Sequence, residues 1–200
     1  MGILRGIFGP SKDEIWQRLS TEIGAEFTAG GFWKGSKVQA HVQHWTVTLD
    51  TCTEGEDTYT RLRAPYVNKD GFRFTIYRKV MLVSGLAKLL GMQDVEVGYP
   101  DFDRDFIIKG NDEAKVRALF ADHGIRTLIQ AQPSIHFGVR DDEGWFQASF
   151  PEGVDELYFA IMGTIKDLDR LKSLFDLFAA VLNRLCHIGS AYEDDPHIQL

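Results

Sequence analysis

Leu157-Tyr-Phe-Ala-Ile-Met-Gly-Thr-Ile165 is apolar at nearly every position, and three residues further on Leu168 opens a stretch of different period. A strand that is apolar on both faces is buried on both faces, which predicts a central place in a sheet. In the stretch that follows, Leu168, Leu171, Leu174, Phe175, Phe178, Val181, Leu182 and Leu185 share one broad stripe. Asp169, Arg170, Lys172, Ser173, Asp176, Asn183 and Arg184 cover the other side, as on a helix packed along one face. Gly189 is placed to end that helix in the left-handed conformation. Roughly 20 residues make a rod ~30 Å long, enough to lie across a whole sheet. The pair predicts an α+β fold: antiparallel sheet with helices packed on it.

Working outward, the sequence alternates with period two on either side. Ile135, Phe137 and Val139 alternate with Ser134, His136 and Arg140. Phe146, Ala148 and Phe150 alternate with Trp145, Gln147 and Ser149, and turn residues stand at 142–144 and 151–153. These two strands and the apolar one predict a three-stranded meander. A second meander is predicted from 45–51, 58–63 and 72–77, joined through Glu54-Gly-Glu-Asp57 and Asp70-Gly71. Ser11-Lys-Asp-Glu14 reads as a capping box opening a helix that Gly24 ends, and 25–36 reads as loop. Val80–Leu90 reads as a short helix apolar nearly all round. Further strands are expected at 94–97 and 102–108, and a helical stretch at 111–130 with a break at Asp122-His-Gly124. Residues 1–200 are read as one α+β domain, with 98–101 as the place where two lobes would divide.

The chain of 200 residues is 44% hydrophobic and 26% charged, the composition of a globular protein. Its net charge of −7 disfavours whole-molecule attraction to nucleic acid or anionic membrane. Two cysteines, Cys52 and Cys186, are too few for a disulfide framework and suit a reduced compartment. Met1-Gly-Ile-Leu-Arg-Gly-Ile-Phe-Gly9 is too short for a secretory signal, and no apolar run reaches the ~20 residues of a transmembrane helix. The expected address is the cytoplasm.

Several chemistries fail on spacing. Gly30-Gly-Phe-Trp-Lys-Gly-Ser-Lys37 has Ser and Lys transposed relative to a phosphate-binding loop, and a strand follows where a helix is required. Asp101, Asp103 and Asp105 begin like a calcium loop, but Phe106 stands where the sharp turn needs glycine. On a strand the three aspartates would share one face, a conceivable divalent-ion site. No paired Cys/His spacing marks a zinc site, and there is no nucleophile elbow or dinucleotide-binding glycine pattern. No catalytic residue, metal or cofactor is assigned. Were the protein an enzyme, Asp103, Asp105 and His136 would be the first residues to test.

The acid excess lies in the second half: residues 1–100 hold twelve basic and eleven acidic residues, residues 101–200 ten and eighteen. Between Thr58 and Lys88 seven basic residues face a single acid, Asp70. If strands 58–63 and 72–77 pair, Tyr59, Arg61 and Arg63 with Arg73, Thr75 and Tyr77 form one basic face with aromatic neighbours. Lys69, Arg78 and Lys79 stand beside it. Such a hairpin over 58–79 would bind phosphate through bidentate arginine contacts, on nucleic acid or anionic lipid. The leading expectation is a protein that acts by binding or assembly, as a homo-oligomer or on a protein partner. Its candidate contacts are the apolar segment 82–90 and the N-terminal tail. The anion-binding hairpin is the alternative.

The segments Arg63–Arg78, Leu90–Gly98 and Phe102–Asp112, the last containing a Phe-Asp-x-x-Phe spacing, resemble a group of bacterial proteins without an assigned activity. The resemblance covers mainly residues 60–165. It implies a bacterial, non-secreted protein and transfers no catalytic residue.

Overall fold

In the computed structural model the described residues are 9–31, 35–79, 92–141, 150–194, 196–198 and 200. They form helices α1 (Lys12–Ile23), α2 (Pro100–Asp105), α3 (Glu113–Phe120), α4 (His123–Gln130) and α5 (Leu168–His187). The strands are β1 (Glu26–Thr28), β2 (Lys37–Val42), β3 (Trp45–Glu54), β4 (Asp57–Val67), β5 (Phe74–Arg78), β6 (Gln93–Asp94), β7 (Phe106–Gly110), β8 (His136–Arg140) and β9 (Val154–Met162). All nine strands join one antiparallel sheet in the order β1-β2-β3-β4-β9-β8-β5-β7-β6. The apolar strand β9 is fifth of the nine, the central position its sequence predicts.

Strand register puts Val38, Leu49, Leu62, Phe159, Phe137, Ile76 and Ile108 in one row across seven strands. Every member is buried, and the buried apolar residues of all five helices belong to the same cluster. The helices therefore pack on this face. α5 lies between α1 on one side and α3 and α4 on the other. Trp16 of α1 fastens its indole N–H to the Ile165 carbonyl at 3.2 Å, fixing the first helix to the end of the central strand.

The local end signals act as their residue types dictate. Ser11 and Glu14 form the reciprocal capping box, and Gly24 ends α1 at φ 67°. Asp122 caps α4, which makes the expected break at 122–124 a true boundary. Gly189, at φ 78°, lets Ser190 N–H return to the Leu185 carbonyl at 2.9 Å and close α5. Cys52 and Cys186 form no disulfide.

Four sequence expectations are corrected. The strand at 72–77 does not follow 58–63 in a meander: β4 pairs with β3 and β9, while β5 pairs with β7 and β8. The meander that does form is β2-β3-β4. β8 and β9 are direct neighbours, with Phe137 opposite Phe159, so 134–140 and 157–165 are not the outer strands of a three-stranded meander. Residues 100–105 are a helix, not the start of a strand, because Pro100 opens it and Asp103 folds back on the preceding loop. The stretch 25–36, read as loop, contains the edge strand β1. The apolar segment 80–90, the N-terminal residues 1–8 and the strand expected at 145–149 lie outside the described residues.

Candidate binding face of the sheet

The row on the opposite face has a different character. Gln39, Thr48, Arg63, Tyr158, Gly138, Thr75, Lys109 and Asp94 are successive partners across eight strands. On either side of it stand Asp50 and Arg61, Glu156 and Arg140, and His136 and Tyr77. Among the described residues no helix packs its apolar side here.

At the centre the charges form a chain. Arg61 grips both oxygens of Asp50, its Nη2 donating to Oδ2 at 2.9 Å. Arg63 Nη2 donates to the same Oδ2 at 3.1 Å, and Arg63 Nη1 lies 3.6 Å from Glu156 Oε1. Arg140 donates twice to Glu156 Oε2, from Nη2 at 2.7 Å and Nε at 3.0 Å. Cations and carboxylates alternate from β3 across β4 and β9 to β8. Arg63 is only 6% exposed and Glu156 only 2%. Burial lowers the affinity of the Arg63 guanidinium for its proton, while the two carboxylates oppose that shift. Among the described residues, Arg63 Nε and Glu156 Oε1 in the middle of the chain have no hydrogen-bond partner.

Beside the chain, Gly138 makes room. A Cβ there would stand 2.3 Å from the Phe74 carbonyl oxygen, so only glycine lets β8 approach β5 this closely. Tyr158 reaches from β9 so that its hydroxyl meets His136 Nε2 at 2.9 Å. The His136 ring meets the Tyr158 and Tyr77 rings edge to face, at 5.3 and 6.5 Å between centroids. Desolvation, aided by the Arg140 charge, pushes the imidazole pKa down to about 4, and burial raises that of the Tyr158 phenol. At neutral pH His136 is uncharged, and with its proton on Nδ1 it accepts from Tyr158.

The residues of the expected basic hairpin are dispersed, since β9 and β8 separate β4 from β5 by three strand spacings, about 14 Å. Arg61, Arg63 and Tyr77 lie on the polar face, with Tyr59 on β4 toward its outer end. Arg73 pairs instead with Asp141 and, at 3.3 Å, with Asp155. Arg78 donates to the Gln130 and Gln132 carbonyls at the end of α4, at 2.8 and 2.9 Å, and stacks on Phe106. Lys79 donates to the Asp103 carbonyl at 2.9 Å, and Lys69 lies over the Tyr192 ring. Of the three aspartates, Asp103 accepts from the backbone N–H groups of Val97, Gly98 and Tyr99 at 2.9–3.0 Å. Asp101 and Asp105 both pair with Arg104. They do not share a strand face.

Asp50, Glu156, Arg140 and Tyr158 were not singled out by sequence. The available signal was small: Asp155-Glu156 at the mouth of the apolar strand, and Arg140 in step with His136.

No family model and no curated protein matches the sequence, so the Phe-Asp-x-x-Phe segment brings no family with it. Among solved structures, the chain is similar to the mycobacterial trehalose monomycolate transport factor A, TtfA, at 10% identity and a TM-score of 0.48. The likeness covers 85% of this chain and 96% of that one.

Proposed function

We propose that this protein acts by binding, and that the polar face of the central strands β3, β4, β9 and β8 is where it binds. The observation that carries the reading is the chain Arg61–Asp50–Arg63–Glu156–Arg140, buried at Arg63 and Glu156 and half-buried at its other members, on the face that none of the described helices covers. Replacing buried ion pairs with apolar residues is often neutral or stabilising, so charges kept at the centre of a sheet have a role beyond stability. Binding, more than covalent chemistry, suits these groups. Each charge in the chain is engaged by an opposite neighbour, and the one imidazole is held neutral between two phenols. A cytoplasmic setting is part of the proposal. No helix among the described residues is long and apolar enough to cross a membrane.

The test is a titration followed by amide NMR, with inorganic phosphate, citrate and myo-inositol as separate probes. At least one probe should move residues of 61–63, 136–140 and 156–160 saturably in the native chain and not in Arg63→Lys, which keeps the charge but loses the fork. Probes that all leave this face unmoved, or that act equally on Arg63→Lys, would overturn the reading.

A further inference from the structure

Resting on that reading, we infer that the chain after α5 is an intramolecular strap: it lies on the β2–β3 part of the polar face and has to lift away before a ligand reaches the Asp50 end of the charge chain. Two anchors fix it. At one end, residues 190–192 pair with the end of β4 beyond the start of β3. Lys69 N–H donates to the Ser190 carbonyl at 3.0 Å, and Tyr192 N–H to the Val67 carbonyl at 3.1 Å. The β3–β4 register would put His44 opposite Val67, but the chain turns at Gln43-His44, with φ 54° at Gln43, and the strap takes the place so vacated. At the other end Lys37 Nζ donates to the Leu200 backbone oxygen at 3.1 Å.

The route between the anchors follows from register and chain length. Lys37 stands two residues before Gln39, so strand alternation puts its side chain on the polar face. Continuing the β2–β3 register by one pair places Lys37 beside Asp50, which is itself opposite Arg61. Val67 stands six residues beyond Arg61 on β4, about 20 Å along the sheet. The eight residues from Tyr192 to Leu200 reach about 26–29 Å when fully extended. Little slack is left, so the strap takes a direct line across β2 and β3 and cannot pass around the helices. Its apolar side chains agree: Ile198 and Leu200 are half-buried, yet neither belongs to the apolar cluster on the helix side. Two backbone hydrogen bonds hold the β4 end, against one lysine bond at Leu200, so the Lys37 end is the one that opens. A ligand then meets only the fraction of molecules with the strap off, and its apparent affinity falls in proportion.

The experiment compares the full native chain with two variants. Lys37→Met removes the donor; Ile198→Gly with Leu200→Gly leaves Lys37 in place and removes the apolar contacts. Heteronuclear NOE values at Ile198 and Leu200 report the order of the strap, and amide shifts at Thr46 and Thr48 report the face beneath it. Inorganic phosphate, citrate and myo-inositol are then titrated separately into all three chains. In the native chain the NOE values should be close to those of the strands. In both variants they should drop, with Thr46 and Thr48 shifted, and whichever probe binds the native face should bind at least threefold more tightly. Low NOE values already in the native chain, or a strap that stays ordered in both variants, would overturn the inference and leave the binding face standing. So would a released strap with unchanged affinity, or a gain confined to Lys37→Met, which would mark the lysine charge and not the strap as the cause. An ordered strap over a face that binds no probe in any of the chains would overturn the binding reading, and the gating role with it.

Discussion

Arg140 donates from two nitrogens to a single oxygen of Glu156, and this turns the other oxygen toward Arg63 3.6 Å away. One carboxylate is thereby shared between strands on both sides of it, β8 next to β9 and β4 on the other flank. A slip of either neighbour by one residue would send its arginine to the apolar face, where Phe137 and Leu62 now lie. The charge chain thus states the register of the four middle strands in the language of ion pairs, as the apolar row states it in side-chain volume.

Removing one member of this chain should cost far more than removing two. Glu156→Leu leaves the buried Arg63 and the half-buried Arg140 with one carboxylate fewer, and should lower stability by about 3–5 kcal/mol. Adding Arg63→Met should recover roughly half of that, because the most buried charge then goes too. Urea unfolding of the single and double variants measures both. If the second substitution only adds to the loss, the chain is held by packing and not by charge balance.

The residues that were legible in the sequence are those whose meaning is local. The cap at Ser11, the boundary at Asp122 and the stripe of α5 depend on neighbours within four positions. The central place of β9 also follows from its own residues, since a strand apolar on both faces tolerates no edge. Pairing is another matter. Asp70-Gly71 suggests a turn, and a turn between two strands suggests a hairpin. The chain here instead crosses over two strands before β5 takes its place beside β8. What selects β8 is Gly138, whose missing side chain admits Phe74 and Thr75, and that fit is invisible until both strands are seen together. The site suffered from the same cause. Arg61 and Arg63 were visible as a basic pair, but their partners Asp50 and Glu156 come from strands 11 and 93 residues away from them.

Two glycines give a graded test of this fit. In Gly138→Ala the new methyl meets backbone, the Phe74 oxygen at 2.3 Å and Thr75 Cα at 2.8 Å. In Gly110→Ala it meets the end of a side chain, Val116 Cγ2, at 2.4 Å. Backbone cannot step aside without moving β5, so Gly138→Ala should cost about 3 kcal/mol and Gly110→Ala about 1 kcal/mol. Val116→Ala should relieve the second and leave the first unchanged. Thermal unfolding of the four proteins decides it; equal losses at the two glycines would contradict the distinction.

Asp103 should behave as a structural cap. Its carboxylate satisfies three successive backbone N–H groups where the chain turns into α2. Asp103→Ala should therefore cost about 2 kcal/mol. Asp101, whose side chain is 80% exposed in its pair with Arg104, should tolerate Ala within about 0.5 kcal/mol. A metal role would show differently: the two substitutions would matter only when magnesium, calcium or manganese is present.

His136 should make the fold sensitive to mild acid. Its imidazole is neutral in the fold with a pKa of about 4, because burial and Arg140 both oppose a second positive charge. In the unfolded chain the same ring titrates near 6.5. As pH falls below that value the unfolded state takes up the proton first, so the equilibrium shifts toward unfolding. The stabilisation is complete above about pH 6.5 and disappears as the pH approaches 4; a difference of this size corresponds to roughly 3 kcal/mol. His136→Gln retains an acceptor for the Tyr158 hydroxyl but has nothing to titrate. Between pH 7 and pH 4.5 the native chain should lose about 2–3 kcal/mol more than the variant, read from urea midpoints at each pH. Carboxylates elsewhere titrate in both proteins and cancel in the comparison. Parallel pH profiles would mean that His136 takes up its proton as readily between the two tyrosine rings as it does in water.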